Sequence, residues 1–343
     1  MKKKLKIGIN GMGRIGRTLL RQWVARKDSD LNHLEIHAVN NPGRSIQEYL
    51  HLLRYDSVHG TMKNELIIHE DSFTLDGSKI YFHQSPSPSE IPWEKQEIDI
   101  VIDATVKFKN KESLSQHLRQ SVKKVIMCAP GEDLNKETFV MGINQEKYDP
   151  KNHHVISNAS CTTNCLAPIA KVLQEKFGIL SGLMTTIHSY TADQNLLDSA
   201  HKDIRRARAA GLSMIPTTTG AAKALGLVIP ELTGKLDGLA VRVPTADVSI
   251  VDLTVHLAKS ATKDEINNAM KEAATNGPLK GILGINSEKL VSIDFTGRSE
   301  SAVFDETLTY VKGDIAKVQA WYDNEVGFSN RVLDLTCYVG ERL

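Results

Sequence analysis

Short apolar runs alternate with helix-like segments in the N-terminal part of the chain. Residues 5–9 form an apolar run, LKIGI, that leads into glycines, and residues 17–25 then carry apolar side chains at helical spacing. Further strand-like runs lie at residues 34–40, 98–105 and 123–129, with a polar, helix-compatible segment at residues 109–121. Strands that alternate with helices predict a doubly wound parallel sheet with helices on both faces, which is an α/β fold.

The second half of the chain has longer strand-like runs and fewer helices. One helical pattern covers about residues 162–177, and another covers residues 264–274 after Thr262, a residue type that favours helix N-caps. Strand-like runs lie at residues 181–191, 239–245, 248–258 and 318–323. This half is therefore predicted to be an α+β domain with a mixed sheet.

The length of the chain agrees with two domains. A chain of 343 residues exceeds what one hydrophobic core usually supports. We place the boundary near Ser157, so that residues 1–157 and 158–324 form separate domains. The last segment, about residues 325–343, has apolar residues at helical spacing and is predicted to return to the first domain.

Composition narrows the classes of protein to which the chain can belong. Apolar residues make up 41% of the chain and charged residues 24%, as in an ordinary globular protein. The formal net charge of +1 gives no reason to expect a nucleic-acid or membrane partner. The basic start, MKKKLKIGING, becomes glycine-rich before a signal-peptide apolar region could form, so we expect a cytoplasmic protein. The 4 cysteines are too few and too scattered for a disulfide framework.

A glycine fingerprint stands between the first predicted strand and the first predicted helix. The sequence GINGMGRIGR contains Gly11, Gly13 and Gly16 in the spacing G-x-G-x-x-G. In this setting the glycines let the backbone approach a pyrophosphate that binds helix N–H groups. We therefore predict a dinucleotide site of the Rossmann type, with Arg14 as a further contact. The alternatives are a purely structural turn and a solvent-facing arginine.

The residue expected to hold the adenosine ribose is not an acid. Such a fingerprint is usually followed, about twenty residues later, by a carboxylate at the end of the second strand, but this chain has Asn41. A neutral side chain does not repel a phosphate on the ribose 2′-hydroxyl, and Arg44 with Ser45 could attract one. The sequence thus predicts that NADP is accepted as well as NAD. The alternative is that Asn-Pro-Gly serves only as turn chemistry.

Cys161 lies in a polar segment, SNASCTTNC, four residues before Cys165. No second cysteine pair or suitably spaced histidine completes a zinc site, so no metal is expected, and the C-x-x-C spacing of redox exchange is absent. A nucleophile and a buried structural thiol remain as alternatives. The predicted helix start at Cys161 favours the nucleophile, because free N–H groups there stabilise a thiolate. Cys165 is expected to be the buried thiol.

A thiolate nucleophile needs a base, and His188 is the candidate. It lies in TTIHSYTADQ, where strand-like residues run into a polar loop. The chain has 12 histidines, and most of them are expected at the surface or in the core. Spacing along the sequence does not by itself pair His188 with Cys161.

Several segments, in one order and spacing, carry a family resemblance. They are INGMGRIGR, SNASCTTNCLAP, TTIHSYT, RRARAA, IPTTTGAAKA, VRVPT and WYDNEVGFSNR. Together they resemble the phosphorylating glyceraldehyde-3-phosphate dehydrogenases over nearly the whole chain. The cysteine segment is specific to that family and to the related erythrose-4-phosphate dehydrogenases. The resemblance implies reversible oxidation and phosphorylation of glyceraldehyde 3-phosphate with NAD or NADP, in a homotetramer.

The resemblance also implies roles for individual residues. Cys161 attacks the aldehyde, and His188 takes the thiol proton and later assists hydride and acyl transfer. The implied site for the substrate's own phosphate is Thr191, Asp193 and Arg242, and that for inorganic phosphate is Ser160, Thr162, Arg206, Thr219 and Gly220. The implied cofactor contacts are Gly11, Gly13, Arg14, Ile15, Gly16, Asn41, Arg44, Thr105, Cys128, Ser199, Ala200 and Asn324. Asn324 would hold the nicotinamide carboxamide, and Ser199 and Ala200 fall in the S-loop, about residues 189–215.

The chain departs from the family pattern at a few positions. Ser199-Ala200 replaces a common Leu-Pro pair, which, like Asn41, leaves room for a 2′-phosphate. Val106-Lys107 replaces the usual Gly-Arg, which puts in doubt the local fit around the cofactor ribose. The remaining departures are Ala192 for Asn, Val326 for Trp and Phe328 for Tyr. The last removes a hydroxyl near the expected nicotinamide pocket.

Two other functions compete with this interpretation. An erythrose-4-phosphate dehydrogenase would share the nucleophile and the cofactor fold but would release a free acid. Thr219-Gly220 and the segment RRARAA match the phosphorylating enzymes better. A nucleotide-binding or RNA-binding protein without enzyme activity is the alternative from another class, and the near-zero net charge speaks against it.

Overall fold

The computed structural model describes residues 4–119 and 121–343. Within it the chain forms two compact units. Unit 1 comprises residues 1–139, 145–159 and 329–343, and unit 2 comprises residues 140–144 and 160–328. In the described part of the chain, no helix has the length and apolar character needed to cross a membrane.

The helices and strands are numbered in chain order. The α-helices of the described residues are α1 Arg14–Arg26, α2 Ile46–Arg54, α3 Lys111–Ser115, α4 Cys161–Phe177, α5 Ala221–Val228, α6 Lys263–Thr275 and α7 Val326–Gly340. The strands of unit 1 are β1 Leu5–Asn10, β2 Leu34–Asn40, β3 Tyr55–Asp56, β4 Gly60–Thr61, β5 Leu66–Ile68, β6 Ser72–Leu75, β7 Ser78–His83, β8 Ile100–Asp103, β9 Lys124–Met127 and β10 Val155–Ser157. Those of unit 2 are β11 Ile179–Ser189, β12 Ile215–Thr218, β13 Leu236–Val243, β14 Ser249–Leu257, β15 Leu283–Asn286, β16 Ala302–Asp305, β17 Tyr310–Lys312 and β18 Ile315–Tyr322.

The sheet of unit 1 has the order β10-β9-β8-β1-β2-β7-β6-β5. Pairing is parallel from β10 to β7, and β8 and β9 are buried along their whole length, as expected for strands covered on both faces. This confirms the predicted parallel sheet. The sheet continues beyond it through the antiparallel pairs β7-β6 and β6-β5, which the sequence analysis did not predict. These strands are short, and partly exposed apolar runs of this length carry little periodicity.

Two helices of unit 1 have bounds that differ from the predicted ones. Helix α1 begins at Arg14, three residues earlier than expected, because Gly13 already accepts the amide of Arg17 at 3.1 Å as the N-cap. Helix α3 is much shorter than the predicted segment 109–121. The chain leaves the helix so that the fully buried His117 can contact Asp103 Oδ2 at 3.2 Å.

The sheet of unit 2 is mixed, as predicted. Its order is β12-β13-β11-β14-β18-β16-β15, with β17 paired to β18. The pair β11-β13 is parallel, whereas β11-β14 and β14-β18 are antiparallel. Helix α4 packs on β14, β16 and β18, and its residues from 162 to 170 are all buried. Leu180, Leu183 and Leu239 remain exposed on β11 and β13.

Candidate active site

Cys161 is the first residue of α4. Ser160 caps this helix: its Oγ accepts the backbone amide of Thr163 at 3.0 Å. Ala159 adopts a φ of +56°, in the left-handed region that non-glycine residues seldom occupy. The sulfur is thereby placed at the positive end of the helix dipole, beside the N–H groups of the first turn.

His188 lies next to the thiol. Its Nε2 is 3.5 Å from Cys161 Sγ. The imidazole is carried near the end of β11 and is buried. The structure thus brings together the two residues that sequence spacing could not pair.

The other imidazole nitrogen has two competing partners. His188 Nδ1 is 2.7 Å from the carbonyl oxygen of Ser189 and 2.7 Å from Arg242 Nη1. Arg242 Nη1 also donates to the Ser189 carbonyl, at 3.0 Å. A proton on Nδ1 donates to Ser189 and leaves Nε2 able to accept the thiol proton, whereas an Nδ1 that accepts from Arg242 requires the proton on Nε2.

Burial dominates the protonation of this pair. It lowers the pKa of His188 to about 3, with the positive charge of Arg242 acting in the same direction. Burial also raises the pKa of the Cys161 thiol, while Arg242 and hydrogen bonds at Thr162 oppose that rise. The pair is therefore a neutral thiol beside a neutral imidazole.

Tyr322 is a member of the site that the sequence analysis did not single out. Its fully buried hydroxyl lies 3.0 Å from Thr162 Oγ1 and 2.8 Å from Thr186 Oγ1, and its ring meets the His188 ring edge-on, with centroids 5.9 Å apart. The Tyr322 ring therefore packs against the imidazole of His188. Tyr322 belongs to the segment WYDNEVG, which carried the family resemblance, and that segment was the available signal.

Cys165 lies one turn further along α4. It is fully buried and its sulfur contacts the Ala320 carbonyl oxygen at 3.7 Å. Burial raises the pKa of this thiol well above its usual range. These features agree with the expected inert structural cysteine.

Two of the implied anion ligands of unit 2, Arg206 and Asp193, contact each other. Arg206 forms an ion pair with Asp193, and its Nε donates to Thr217 Oγ1 at 3.0 Å. Arg206 and Asp193 were assigned by resemblance to different phosphate sites, yet here they contact each other. Gly220 caps α5 with no side-chain hydrogen bond, and a Cβ built on it would meet nothing within 4 Å. That helix start can therefore admit an anion.

The remaining implied phosphate ligands differ in their burial and in their hydrogen-bond partners. Thr162 is buried, with its hydroxyl on Tyr322. The hydroxyl of Ser160 serves the helix cap, and Thr219 Oγ1 accepts the amide of Ala221 at 3.2 Å. Thr191 is half-buried at the start of the loop that follows β11. Their roles as phosphate ligands stay predictions.

Asn324 has a fixed carboxamide. Its Oδ1 accepts the hydroxyls of Ser189 and Ser249, both at 2.8 Å. The side chain is buried in unit 2. Because the two serines determine which way the amide points, the residue is suited to hold another carboxamide in one orientation.

The glycine fingerprint of unit 1 fits a dinucleotide phosphate. Gly11 adopts a φ of +104°, and a Cβ on Gly16 would lie 1.8 Å from the Gly11 carbonyl oxygen, so the turn and helix α1 can approach only with glycine. A Cβ on Gly13 would meet nothing within 4 Å. Helix α1, in which Ile15 is the second residue, has neither a side-chain cap nor an acid in its first turn. Both features suit an anion at this helix start.

Glu48 lies in the part of unit 1 that is expected to hold the adenosine ribose, and its carboxylate was not among the predicted site residues. Asn41 Oδ1 accepts the amide of Met12 at 2.8 Å. Ser45 caps α2 in a capping box with Glu48. Glu48 also lies 3.7 Å from Arg44, the residue expected to attract a 2′-phosphate. A carboxylate beside Arg44 opposes that attraction.

Other implied cofactor residues are placed as follows. Arg14 forms an ion pair with Asp56 at 2.7 Å and is not a simple solvent-facing arginine. Thr105 donates to Asp103 Oδ1 at 2.6 Å through its hydroxyl. Cys128 is buried, which raises the pKa of its thiol. In unit 2, Ser199 and Ala200 are exposed. Their cofactor contacts stay predictions.

The departures from the family pattern are now located. Val106 is exposed and adopts a φ of +55°, where a β-branched residue is strained and glycine is not. Val326 and Phe328 are both buried, and Ala192 is exposed. The replacement of glycine by Val106 therefore places a strained residue in the left-handed backbone region.

Family models match both parts of the chain. Residues 5–111 match the glyceraldehyde 3-phosphate dehydrogenase NAD binding domain, and residues 160–324 match the C-terminal domain of the same enzymes. With the parallel sheet and glycine fingerprint of unit 1, these matches define an NAD-binding dehydrogenase. The chain belongs to the glyceraldehyde 3-phosphate dehydrogenase family, so the resemblance stated from the sequence is confirmed.

Curated relatives cover almost the whole chain. Glyceraldehyde-3-phosphate dehydrogenase 1 of Bacillus cereus is 53% identical over 97% of this chain and 98% of its own length. Glyceraldehyde-3-phosphate dehydrogenase of Streptomyces coelicolor is 52% identical over 99% of both chains. Glyceraldehyde-3-phosphate dehydrogenase B, chloroplastic, of Pisum sativum is 50% identical over 99% of this chain and 75% of its own length.

Proposed function

We propose that this chain catalyses the reversible oxidative phosphorylation of D-glyceraldehyde 3-phosphate to 1,3-bisphosphoglycerate. The observation that carries the proposal is the 3.5 Å separation of Cys161 Sγ from His188 Nε2, with a cation adjacent to the imidazole. Relatives named glyceraldehyde-3-phosphate dehydrogenase, which this chain matches over nearly their full lengths, support the same activity. Residues 1–157, completed by a helix at about 325–343, are proposed to bind the cofactor, and residues 158–324 to bind the substrate.

Cys161 is the nucleophile in this proposal. His188 takes the thiol proton at Nε2, which requires the tautomer whose Nδ1–H donates to Ser189. The sulfur then bonds to the aldehyde carbon to form a thiohemiacetal, and the backbone N–H of Cys161 donates to the developing oxyanion. A nicotinamide ring held through its carboxamide by Asn324 would supply the acceptor for the hydride of this carbon. Loss of the hydride leaves a thioester on Cys161.

Inorganic phosphate resolves the thioester. One phosphate oxygen bonds to the acyl carbon and the carbon–sulfur bond breaks, which releases the acyl phosphate and leaves the Cys161 thiolate. The thiolate takes back the proton that His188 holds, and the proton of the attacking phosphate goes to solvent. Arg206, Thr219 and Gly220 are proposed to hold this phosphate, together with Ser160 and Thr162. Thr191, Asp193 and Arg242 are proposed to hold the phosphate of the substrate. The contact between Arg206 and Asp193 means that an anion competes with a carboxylate for Arg206.

The cofactor is proposed to be NAD or NADP. The fingerprint glycines with Arg14 and Ile15, together with Thr105 and Cys128, are proposed to bind it in unit 1, and Asn324 is proposed to bind its nicotinamide carboxamide. Asn41 of unit 1 has no charge that would repel a 2′-phosphate, and Arg44 attracts one against the opposition of Glu48. Ser199 and Ala200 of unit 2 are proposed as further cofactor contacts. NADP is therefore accepted, with NAD as the partner of the matched binding domain.

A cytoplasmic homotetramer is the proposed working form. Large apolar side chains stay exposed in unit 2, among them Leu183 at 70% and Leu212 at 85%. Exposed apolar side chains in such number need a partner surface. The bacterial relatives support the cytoplasmic location.

Phosphate dependence tests the proposal. Initial rates of reduction of NAD or NADP are measured with glyceraldehyde 3-phosphate, with and without phosphate or arsenate. We expect activity that disappears without either anion, because the thioester is then not resolved. Full activity without them would contradict the proposal and would indicate a hydrolytic erythrose-4-phosphate dehydrogenase.

The nucleophile has a matched pair of variants. Cys161→Ser should lower kcat by on the order of 10⁴-fold, as for other nucleophile removals. For Cys165→Ser, which changes a buried residue one helical turn away, kcat should stay within about threefold of that of the unaltered protein. Retained activity in Cys161→Ser would overturn the cysteine mechanism.

A further inference from the structure

Asp247 is a buried acid that the mechanism above does not use. It is 5% exposed, and neither of its carboxyl oxygens has a hydrogen-bond partner among the described residues. A buried carboxylate without a partner is expensive, so such a group either takes up a proton or binds something. A carboxyl oxygen of Asp323, itself 1% exposed, lies within 4.8 Å of one of Asp247.

The fold holds these two acids together. Ser249 of β14 pairs with Tyr322 of β18 in an antiparallel ladder, so Asp247 and Asp323 come just past the ends of neighbouring strands. Val248 between Asp247 and Ser249 is buried and adopts a φ of +64°, which strains a β-branched residue. The surrounding structure therefore fixes the Asp247 segment against its own backbone preference.

Asp323 organises the turn that carries Asn324. Its Oδ1 accepts the amides of Glu325 at 2.9 Å and Val326 at 2.7 Å, and its Oδ2 accepts the amide of Gly297 at 2.7 Å. The Asn324 side chain meanwhile accepts the hydroxyl of Ser249 at 2.8 Å. Both acids thus flank the contacts that orient the carboxamide of Asn324.

We propose that Asp247 is protonated at neutral pH and donates a hydrogen bond to Asp323, and that this acid pair positions Asn324 for the nicotinamide carboxamide. The proposal rests on the role assigned to Asn324 above. Asp247 is a positioning residue here, since it acts through Asp323 and Asn324.

Protonation of Asp247 agrees with its surroundings. Burial, with the negative charges of Asp323 and Glu325, raises the pKa of Asp247 well above its usual range. When the proton is lost at alkaline pH, two buried carboxylates repel each other beside the Asn324 turn. Nicotinamide binding should weaken in that range.

Cofactor affinity as a function of pH tests the pair. Calorimetric titration with NAD is carried out from pH 6.5 to 9.5 on the unaltered protein, on Asp247→Asn and on Asp247→Leu. The unaltered protein should lose affinity at alkaline pH, by about tenfold per pH unit once Asp247 has ionised, because one proton is released. The Asn variant should keep a nearly constant affinity, since its N–H₂ donates to Asp323 at every pH. The Leu variant, which cannot donate, should bind several-fold more weakly at all pH values.

Two controls separate this effect from unfolding and from the enzyme activity. Asp237→Asn, at an exposed aspartate of the same unit, should keep the alkaline loss of affinity. Thermal unfolding at each pH shows whether each variant is folded. An unaltered protein with pH-independent affinity, or an Asn variant with the same alkaline loss, would overturn the proposal. Because NAD binding is measured without substrate, this failure is distinct from a failure of the phosphorylating activity.

Discussion

The region around Cys161 and the turn of unit 1 that carries Asn41, Arg44 and Ser45 differ in how far their side chains are buried. His188 is 4% exposed and lies among Cys161, Ser189 and Arg242. The side chain of Arg44, by contrast, is 70% exposed and its one described ion pair, at 3.7 Å, is with a half-exposed Glu48. The proposed reaction chemistry thus lies on fixed strand and helix ends, and the proposed cofactor preference depends on solvated charges.

The difference determines how large an effect each charge has. At the buried histidine, a cation and desolvation together lower the pKa to about 3. At the exposed turn, solvent screens each charge, and one pair of residues is worth at most about 1 kcal/mol. Changes in the first region should therefore alter the reaction rate by orders of magnitude, and changes in the second should alter cofactor preference by small factors.

His188→Gln should have the largest effect in this set. It removes the base from a thiol whose pKa is raised by burial, so kcat should fall by about 10² to 10⁴-fold. His256→Gln, at an exposed histidine paired with Asp314, is the control and should keep full activity. Steady-state kinetics at pH 7 measure both. A loss of less than tenfold in His188→Gln would place the base elsewhere.

The same variant should also change the acid stability. His188 has a lowered pKa in the folded protein, so the unfolded chain binds more protons between about pH 3 and pH 6.5 and stability falls as pH drops through this range. Glutamine cannot titrate, so the fall should be smaller in His188→Gln. Urea unfolding at pH 7 and pH 5 measures the difference. An equal fall in both proteins would contradict a buried neutral imidazole.

Much of the Cys161–His188 region could be predicted from the sequence because its signals are local. A polar segment at a helix start marked Cys161, and a strand that runs into a polar loop marked His188. The alternation of strands and helices gave the sheet of unit 1, and longer strands gave the mixed sheet of unit 2. Each of these signals depends on neighbouring residues in the chain.

The rest depends on residues that are distant in sequence. Tyr322 reaches Thr162 across 160 positions, and Asp247 meets Asp323 only through the register of β14 and β18. Glu48 differs from these residues, because its capping box with Ser45 is local in the sequence. Periodicity also gave no signal for the backbone strain at Val106.

Glu48→Gln sharpens the comparison on the adenosine side. Glutamine keeps the capping box with Ser45 but removes the negative charge beside Arg44. We expect kcat/KM with NADP to rise by about two- to fivefold, the size of an exposed charge pair, and kcat/KM with NAD to change little. Arg44→Gln should instead lower kcat/KM with NADP. Equal changes for both cofactors would show that this turn does not sense the 2′-phosphate.

Val106→Gly should have the smallest effect, on stability. Relieving a left-handed valine gains about 1–2 kcal/mol, and the greater freedom of glycine in the unfolded chain offsets about 0.5–1 of it. Because Val106 is exposed, little apolar burial is lost, and the thermal midpoint should rise by about 1–3 °C. Val291→Gly, at an exposed valine with a φ of −127°, is the matched control and should lower the midpoint. If both variants were destabilised alike, Val106 would be stabilised by contacts that outweigh its backbone strain, and the family's glycine would have to be explained by the approach of the cofactor.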